Sequence, residues 1–323
     1  MEYGLQQIAE RIKCAKDVLI MTHMRPDGDA FGSALSLSCA LTNLGISNQV
    51  CDESDIPSNL SFLEDVKSVV KKPRQGYDLV VTVDCSEVQR LGQLQEEFCL
   101  AKRNKIDTVN IDHHISNTRF AKYNYVRECS ANCMNMANLI QYMGAPFDKK
   151  TAEYLFVGLL TDSGNFAHDD VTEETFSLAA KLTEAGVNTH YFVYNLFKKQ
   201  AKARAKLHAR VMSGMRFYHE DRFAAIVITK QMMEEFGADR GMTEGFVDFP
   251  LNVDTVEIAA SVMEEKRGQY KISLRSKMYA DVNKVANVYG GGGHIRAAGC
   301  MLFGDLEEVL DKLSYTVSQY LED

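Results

Sequence analysis

Apolar positions in the first half of the chain fall into short runs separated by stretches of helical spacing. Asp17–His23 (DVLIMTH), Tyr77–Cys85 (YDLVVTVDC) and Thr108–His113 (TVNIDH) are too short for helices and rich in β-branched residues, so each reads as a buried strand. Phe31–Leu44, Leu91–Lys105, Asn132–Met143 and Thr151–Leu160 read as helices between and after them. Strands alternating with helices predict an α/β domain with a mainly parallel sheet covered on both faces. Ligands of such sheets bind in the crevice beyond the carboxyl ends of the strands.

The pattern changes after Gly186. Thr189–Met215 has no proline and no glycine before Gly214, and it carries Lys198, Lys199, Lys202, Arg204, Lys206 and Arg210. It predicts one long helix joining two domains, with its charges on a solvated face. From Arg216 the alternation resumes. Arg222–Thr229 and Gln269–Arg275 read as strands, Ala280–Tyr289 and Asp305–Tyr320 as helices, together a smaller α/β domain. The chain therefore divides into a first domain over 1–187, a helical linker over 188–215 and a second domain over 216–323.

Composition narrows the class. With 46% hydrophobic and 25% charged residues, the 323-residue chain is an ordinary globular protein. No apolar run reaches bilayer length, and the N-terminal MEYGLQQIAERIKCAK lacks the apolar core of a signal peptide, so the expected place is the cytoplasm, with no membrane partner. Eight cysteines without a C-x-x-C pair speak against a structural zinc site or a disulfide framework. A net charge of −8 argues against coating long duplex nucleic acid. Small phosphorylated ligands stay open, because local cations and bound metal can reverse the potential inside a pocket.

Five segments carry chemistry. His23-Met24-Arg25-Pro26-Asp27-Gly28-Asp29 follows the first strand and offers an imidazole and two carboxylates, the donor types a divalent cation needs. The alternative is that Asp27 and Asp29 form a turn and cap the next helix. Asp84 ends a buried strand, where a carboxylate is costly unless paired, solvated or metal-bound. Asp112-His113-His114 places three ionisable groups in succession at a strand exit, which packing does not explain. Asp162 closes the helical run before Ser163-Gly164, where helix-end chemistry is the alternative. In the second domain, Gly290-Gly291-Gly292-Gly293-His294-Ile295-Arg296 can bring backbone close to an anion, with Arg275-Ser276 at a strand end as a further phosphate-binding group. The first four segments supply enough imidazoles and carboxylates for two divalent ions, of which Mn²⁺ suits the mixed donors best, with Mg²⁺, Co²⁺ or Fe²⁺ as substitutes.

In order, His23-x-x-Pro-Asp27-Gly-Asp29-Ala-x-Gly-Ser, Asp84, Asp112-His113-His114 and Thr161-Asp162-Ser163-Gly164 resemble the four motifs of the DHH phosphoesterase superfamily. The Gly290–His294 run resembles the glycine-rich motif of its DHH-associated C-terminal domain. The resemblance implies that His23, Asp27 and Asp84 bind one metal, and that Asp29, Asp84, His113 and Asp162 bind another. It implies that Asp112 orients an imidazole and that His114 donates to the scissile phosphate. Arg275, Ser276, Gly291, Gly292, Gly293, His294 and Arg296 would hold the other phosphate or the terminal nucleotide. The chain is similar to the short, stand-alone branch that trims very short RNA (nanoRNA and linear dinucleotides) and dephosphorylates 3′-phosphoadenosine 5′-phosphate. Motifs in both domains suggest closure of the second domain over the substrate, and the resemblance implies pairing of two copies through the catalytic domain as a homodimer. Two other readings use the same residues: a soluble cyclic-di-AMP phosphodiesterase and a non-catalytic nucleotide sensor.

Overall fold

The computed structural model describes residues 3–321 and separates into two compact units, the first ending at Lys199 and the second starting at Gln200. The first unit is built on five strands, β1 (Asp17–Met21), β2 (Ser47–Cys51), β3 (Leu79–Val83), β4 (Asp107–Asp112) and β5 (Tyr123–Val126). All pair in parallel, in the order β2-β1-β3-β4-β5. Among the described residues seven α-helices accompany them: α1 (Leu5–Lys13), α2 (Gly28–Asn43), α3 (Leu94–Arg103), α4 (Asn132–Met143), α5 (Lys149–Asp162), α6 (Glu173–Glu184) and α7 (Thr189–Val193).

The continuous apolar runs follow from burial on both faces. Successive strand side chains alternate in direction, so Val18 and Ile20 join a core with α1, α2, α4 and α5, while Leu19 and Met21 join a second core with Phe98 and Ala101 of α3. The chain leaves β1 toward β2 on one side and then builds β3, β4 and β5 on the other. The strand order therefore reverses between β1 and β3, where the carboxyl ends open a crevice. The edge strands β2 and β5 were passed over by the hydrophobic pattern because SNQVC and YNYV are half polar.

Glycines bring α2 and α5 together. A Cβ on Gly28 would lie 2.5 Å from Thr161 Cγ2, and one on Gly32 would lie 2.6 Å from the Tyr154 carbonyl oxygen. Across the contact, a Cβ on Gly158 would lie 2.5 Å from Asp29 Oδ1. The two helices run antiparallel, so the N-terminal turn of α2 meets the C-terminal turn of α5.

The predicted single helix over Thr189–Met215 is not formed. It is divided into α7, a π-turn at Tyr194–Lys198 and α8 (Lys202–Met212), with extended backbone at Lys199 and Ala201. The physical cause is packing against two different cores. Phe192 packs with Phe62 and Phe156 in the first unit, whereas Leu207 and Val211 are buried in the second. A sequence without proline or glycine allows a helix, but separate docking of its halves breaks it.

The second unit carries a mixed sheet of β6 (Arg216–Tyr218), β7 (Phe223–Ile228), β8 (Ile258–Lys266), β9 (Gln269–Ser276), β10 (Gly292–His294) and β11 (Ala297–Phe303). Their order is β10-β11-β9-β8-β7-β6, with only β7 and β8 parallel. Helices α9 (Lys230–Phe236), α10 (Val282–Val288) and α11 (Leu306–Ser318) complete it. The chain is thus α/β in both halves. Among the described residues no helix is long and apolar enough to cross a membrane, and the eight cysteines are free.

Replacing Gly158 with alanine should cost about 1–3 kcal/mol, because neither the Asp29 carboxylate nor helix α2 can retreat from the added methyl group. Urea melts of the variant test this, and an unchanged midpoint would show that the helix contact is looser than described.

Candidate metal centre

Eight side chains converge at the crevice between β1, β3 and β4. His23 lies two residues past β1, Asp84 directly follows β3, and Asp112 ends β4 with His113 and His114 next in line. Asp27 caps α2, Asp29 sits in its first turn, and Asp162 is the last residue of α5. Ligand atoms of His23, Asp27 and Asp84 lie within 4.8 Å of one another, as do those of Asp29, His113 and Asp162. Asp84 also groups with Asp112, His113 and His114 at that spacing. His23 Nε2 is 3.6 Å from Asp84 Oδ2, and His113 Nε2 is 3.4 Å from Asp84 Oδ1 and 3.3 Å from Asp162 Oδ2. Asp84 thus stands between the two groups.

The alternatives left open by the motifs turn out not to be exclusive. Asp27 Oδ1 does cap α2, accepting from the N–H groups of Asp29 and Ala30 at 3.0 Å each. Asp29 accepts from the N–H groups of Asn132 (2.5 Å) and Cys133 (2.9 Å), and so fixes the start of α4. The same carboxylates order the helices and line the crevice.

The imidazoles are oriented for ligation. His113 Nδ1 donates to the Cys129 carbonyl at 2.8 Å, and His23 Nδ1 donates to the Met24 carbonyl at 3.0 Å. A carbonyl can only accept, so Nδ1 carries a proton and Nε2 faces the carboxylates, where its lone pair is exposed once the ring is neutral, the arrangement a metal-ligating histidine adopts. Arg90 Nη2 lies 3.3 Å from the same His23 nitrogen, and the shorter carbonyl contact decides the tautomer. His114 Nδ1 donates to Asp112 Oδ1 at 2.8 Å, and the other Asp112 oxygen accepts from Asn117 at 2.6 Å. With both oxygens bonded, Asp112 orients His114 and is poorly placed to ligate.

The electrostatics show what the cluster lacks. Burial and the field of Asp84 push Asp29 up to about 7, and burial with the field of Asp29 pushes Asp162 up to about 8. Asp162 also ends a helix, where the macrodipole is unfavourable to an anion. Burial opposes charge on His113, yet its contact with Asp84 and the field of Asp29 push it up to about 10. Burial would raise Asp84, but the rings of His113 and His23 outweigh it and hold it down to about 2. Asp84 Oδ1 is buried without a hydrogen-bond partner, and its residue adopts left-handed backbone with φ 53°. An orphaned carboxylate oxygen, strained backbone and two reluctant carboxylates all call for positive charge at one point. Divalent cations fit this donor set.

The second-unit residues are placed less uniformly. Gly290 and Gly291 close α10, donating to the Asn287 and Ala286 carbonyls at 3.0 Å each, with Gly290 at φ 70°. Gly292 to His294 form β10, where a Cβ on Gly293 would lie 2.6 Å from Ala298 Cα, and His294 is exposed. Arg275 and Ser276, both expected to serve a substrate phosphate, point to opposite faces of β9, as adjacent strand residues do. Arg275 contacts Asp248 at 3.3 Å on the open face, while the Ser276 hydroxyl donates to the Ala280 carbonyl at 2.7 Å on the buried face. Arg296 is likewise engaged with protein, donating to the Ala280 carbonyl at 2.9 Å and to that of Met278. Three residues near the metal centre escaped the motif reading: Asn117, Arg90 and His168, whose Nδ1 donates to the Asp162 carbonyl at 2.7 Å. Only Asn117, a polar residue soon after His114 in a short turn, carried any signal.

Fold and site together define a two-domain α/β protein with a preorganised carboxylate–imidazole centre for divalent ions. Residues 17–159 match the DHH family, N-terminal domain, and residues 223–323 match the DHHA1 domain. The chain is similar to the bifunctional oligoribonuclease and PAP phosphatase NrnA of Thermus thermophilus, 30% identical over 98% of this chain and 94% of that protein. It is also similar to a probable NrnA of Streptococcus mutans, 27% identical over 92% and 93%. Among solved structures, an exopolyphosphatase-related protein from Bacteroides fragilis superposes with TM-score 0.82 at 25% identity, covering 98% of this chain and 96% of that one. The chain belongs to the DHH family and is a metal-dependent phosphoesterase.

Divalent-ion binding should release protons. Below their raised values Asp29 and Asp162 hold protons, as does His113, and a cation must displace them, so affinity should climb as pH rises from about 7 to about 10. Calorimetry in buffers of different ionisation enthalpy reads the released protons. A pH-independent affinity would mean that these groups are not the ligands.

Proposed function

We propose that the chain hydrolyses short oligoribonucleotides and linear dinucleotides to mononucleotides, and 3′-phosphoadenosine 5′-phosphate to AMP. The observation that carries this reading is the convergence of three oriented imidazoles on the buried carboxylate of Asp84, one oxygen of which has no hydrogen-bond partner. The names of the Thermus and Streptococcus relatives, matched over more than nine-tenths of this chain, support the substrate class.

His23, Asp27 and Asp84 would hold one ion, and Asp29, Asp84, His113 and Asp162 the other, with Mn²⁺ the ion best suited to imidazole and carboxylate together. When bound, the ions supply an acidified water and stabilise charge on phosphorus-bound oxygens. Asp112 accepts the Nδ1–H of His114 and so fixes the ring, whose Nε2 would be the hydrogen-bonding partner of a phosphate oxygen. Asn117 holds Asp112 in turn. In the second unit, His294 and the exposed Gly292 are the groups left free for a substrate phosphate, with Arg275 available by exchange of its contact to Asp248. The cytoplasm, where short RNA fragments arise, is the compartment this reading implies.

Purified protein with Mn²⁺ should release mononucleotides from pApA and from a five-nucleotide RNA, and AMP from 3′-phosphoadenosine 5′-phosphate. Asp84→Ala should abolish all three, and Asp112→Asn should slow them by roughly 10- to 100-fold. Turnover confined to cyclic di-AMP would replace this reading with the cyclic-dinucleotide one.

A further inference from the structure

Two polar side chains stand side by side in the buried centre of the first sheet. Thr82 of β3 and Asn110 of β4 are partners in the parallel register, and neither has any exposed surface. Asparagine is disfavoured in strands, and a buried amide is costly unless it is hydrogen-bonded. Asn110 is fully engaged. Its Nδ2 donates to Thr82 Oγ1 at 3.0 Å and to the Cys85 carbonyl at 3.1 Å, and its Oδ1 accepts from Asn117 Nδ2 at 2.9 Å. Thr82 Oγ1 donates in turn to the Val109 carbonyl at 3.2 Å. Asn117, also buried, reaches the Asp112 carboxylate at 2.6 Å and the Cys85 carbonyl at 3.2 Å with the same nitrogen, while its Oδ1 accepts from the Arg119 N–H at 2.6 Å. The network fixes both amides. A flipped Asn117 would set its oxygen against the Asp112 carboxylate, and a flipped Asn110 would set its oxygen against the Cys85 carbonyl.

The carbonyl gripped by both amides belongs to the residue after Asp84. Asp84 is left-handed at φ 53°, a conformation that persists only where the surroundings over-determine it. On the amino side, the Asp84 N–H donates to the Ile111 carbonyl at 3.0 Å, at the end of the β3–β4 ladder. On the carboxyl side, the two amides hold Cys85. Between these anchors the carboxylate is aimed at His23 Nε2 (3.6 Å) and His113 Nε2 (3.4 Å). The same bonds reach the neighbouring turn. Asn117 N–H donates to the His114 carbonyl at 3.1 Å, and Thr118 donates to the Ser86 carbonyl from its N–H at 2.8 Å and its hydroxyl at 3.3 Å. The turn after Asp84 and the turn that starts at His114 are thus knitted into one body.

We propose that Asn110 and Asn117 are positioning residues for divalent-ion binding: their amides hold Asp84 in its left-handed conformation and fix it to the turn that carries His114. The amide hydrogens of both are consumed by protein, so they act through Asp84 and Asp112 and not as ligands. The contact they maintain is the 3.7 Å from His114 Nδ1 to Asp84 Oδ1. For the role of His114 the proposal rests on the phosphoester reading above, and for Asp84 it needs only that the centre binds ions. An apolar pair of similar shape at positions 82 and 110 would fill the sheet about as well, so stability alone does not call for these polar side chains.

The test is Mn²⁺ binding to the full-length, metal-free protein by calorimetry, with a urea midpoint for each variant. Asn110→Leu, which keeps the site filled, and Asn117→Ala should each weaken Mn²⁺ roughly 10- to 100-fold. Thr82→Val removes one partner of Asn110 and should weaken Mn²⁺ in the same direction by less. Val80→Ala makes a cavity in the same strand without touching the network, so it should lower the urea midpoint and leave Mn²⁺ affinity unchanged. Wild-type Mn²⁺ affinity in either folded asparagine variant would overturn the proposal for that residue. An equal loss of affinity in Val80→Ala at a matching midpoint would overturn it for both. If an asparagine variant does not fold, Thr82→Val against Val80→Ala decides by the same comparison. Because no turnover is read, the outcomes separate. Weakened Mn²⁺ in the network variants, alongside failure of the wild type to cleave pApA, keeps the positioning role and removes the proposed activity. Cleavage of pApA with unchanged Mn²⁺ affinity in the variants does the reverse.

Discussion

Asp84 is the point on which the first unit turns. Its carboxylate is buried, one of its oxygens has no hydrogen-bond partner, and its backbone is left-handed, a conformation that costs a non-glycine residue about 1–3 kcal/mol. Around it stand two further carboxylates whose mutual repulsion, added to burial, makes them hold protons near neutrality. Such a cluster is unfavourable in isolation and becomes favourable when cations replace the protons. The fold therefore stores, at one crevice, a demand for positive charge that divalent ions meet.

The architecture supplies that crowding by simple means. Parallel strands deliver His23, Asp84 and Asp112–His114 to the same edge of the sheet, next to the reversal in strand order. Antiparallel helices in glycine-mediated contact deliver Asp29 and Asp162 from the covering layer. Asp29 bonds the first N–H groups of α4, and the Cys129 carbonyl just before that helix orients His113. Ligand placement and helix placement thus share the same hydrogen bonds.

The second unit handles charge differently. Its loop carboxylate Glu257 and its turn guanidinium Arg296 are spent on backbone. Arginine beside a glycine run suggests phosphate binding from composition alone, yet the geometry gives that residue a scaffolding task. A guanidinium satisfied by two carbonyls is a weaker anion site than a free one.

Periodicity and motif order in the sequence determined the alternating strands and helices of the first unit, the strand-end positions of its ionisable residues and the family they belong to. These were legible because buried parallel strands leave unbroken apolar runs, and because an ionisable residue ending such a run stands out. Tertiary structure decided the rest. The division of the Thr189–Met215 helix depends on which core Phe192 and Leu207 enter. The opposite facing of Arg275 and Ser276 depends on strand register, and the commitment of Arg296 depends on a loop that approaches it from earlier in the chain. The meeting of Asp29 with Asp162 requires two helices far apart in sequence to touch through Gly28, Gly32 and Gly158. Local sequence encodes dihedral preference and burial, whereas the partner of a charged side chain is set by which distant segments the packed core brings beside it.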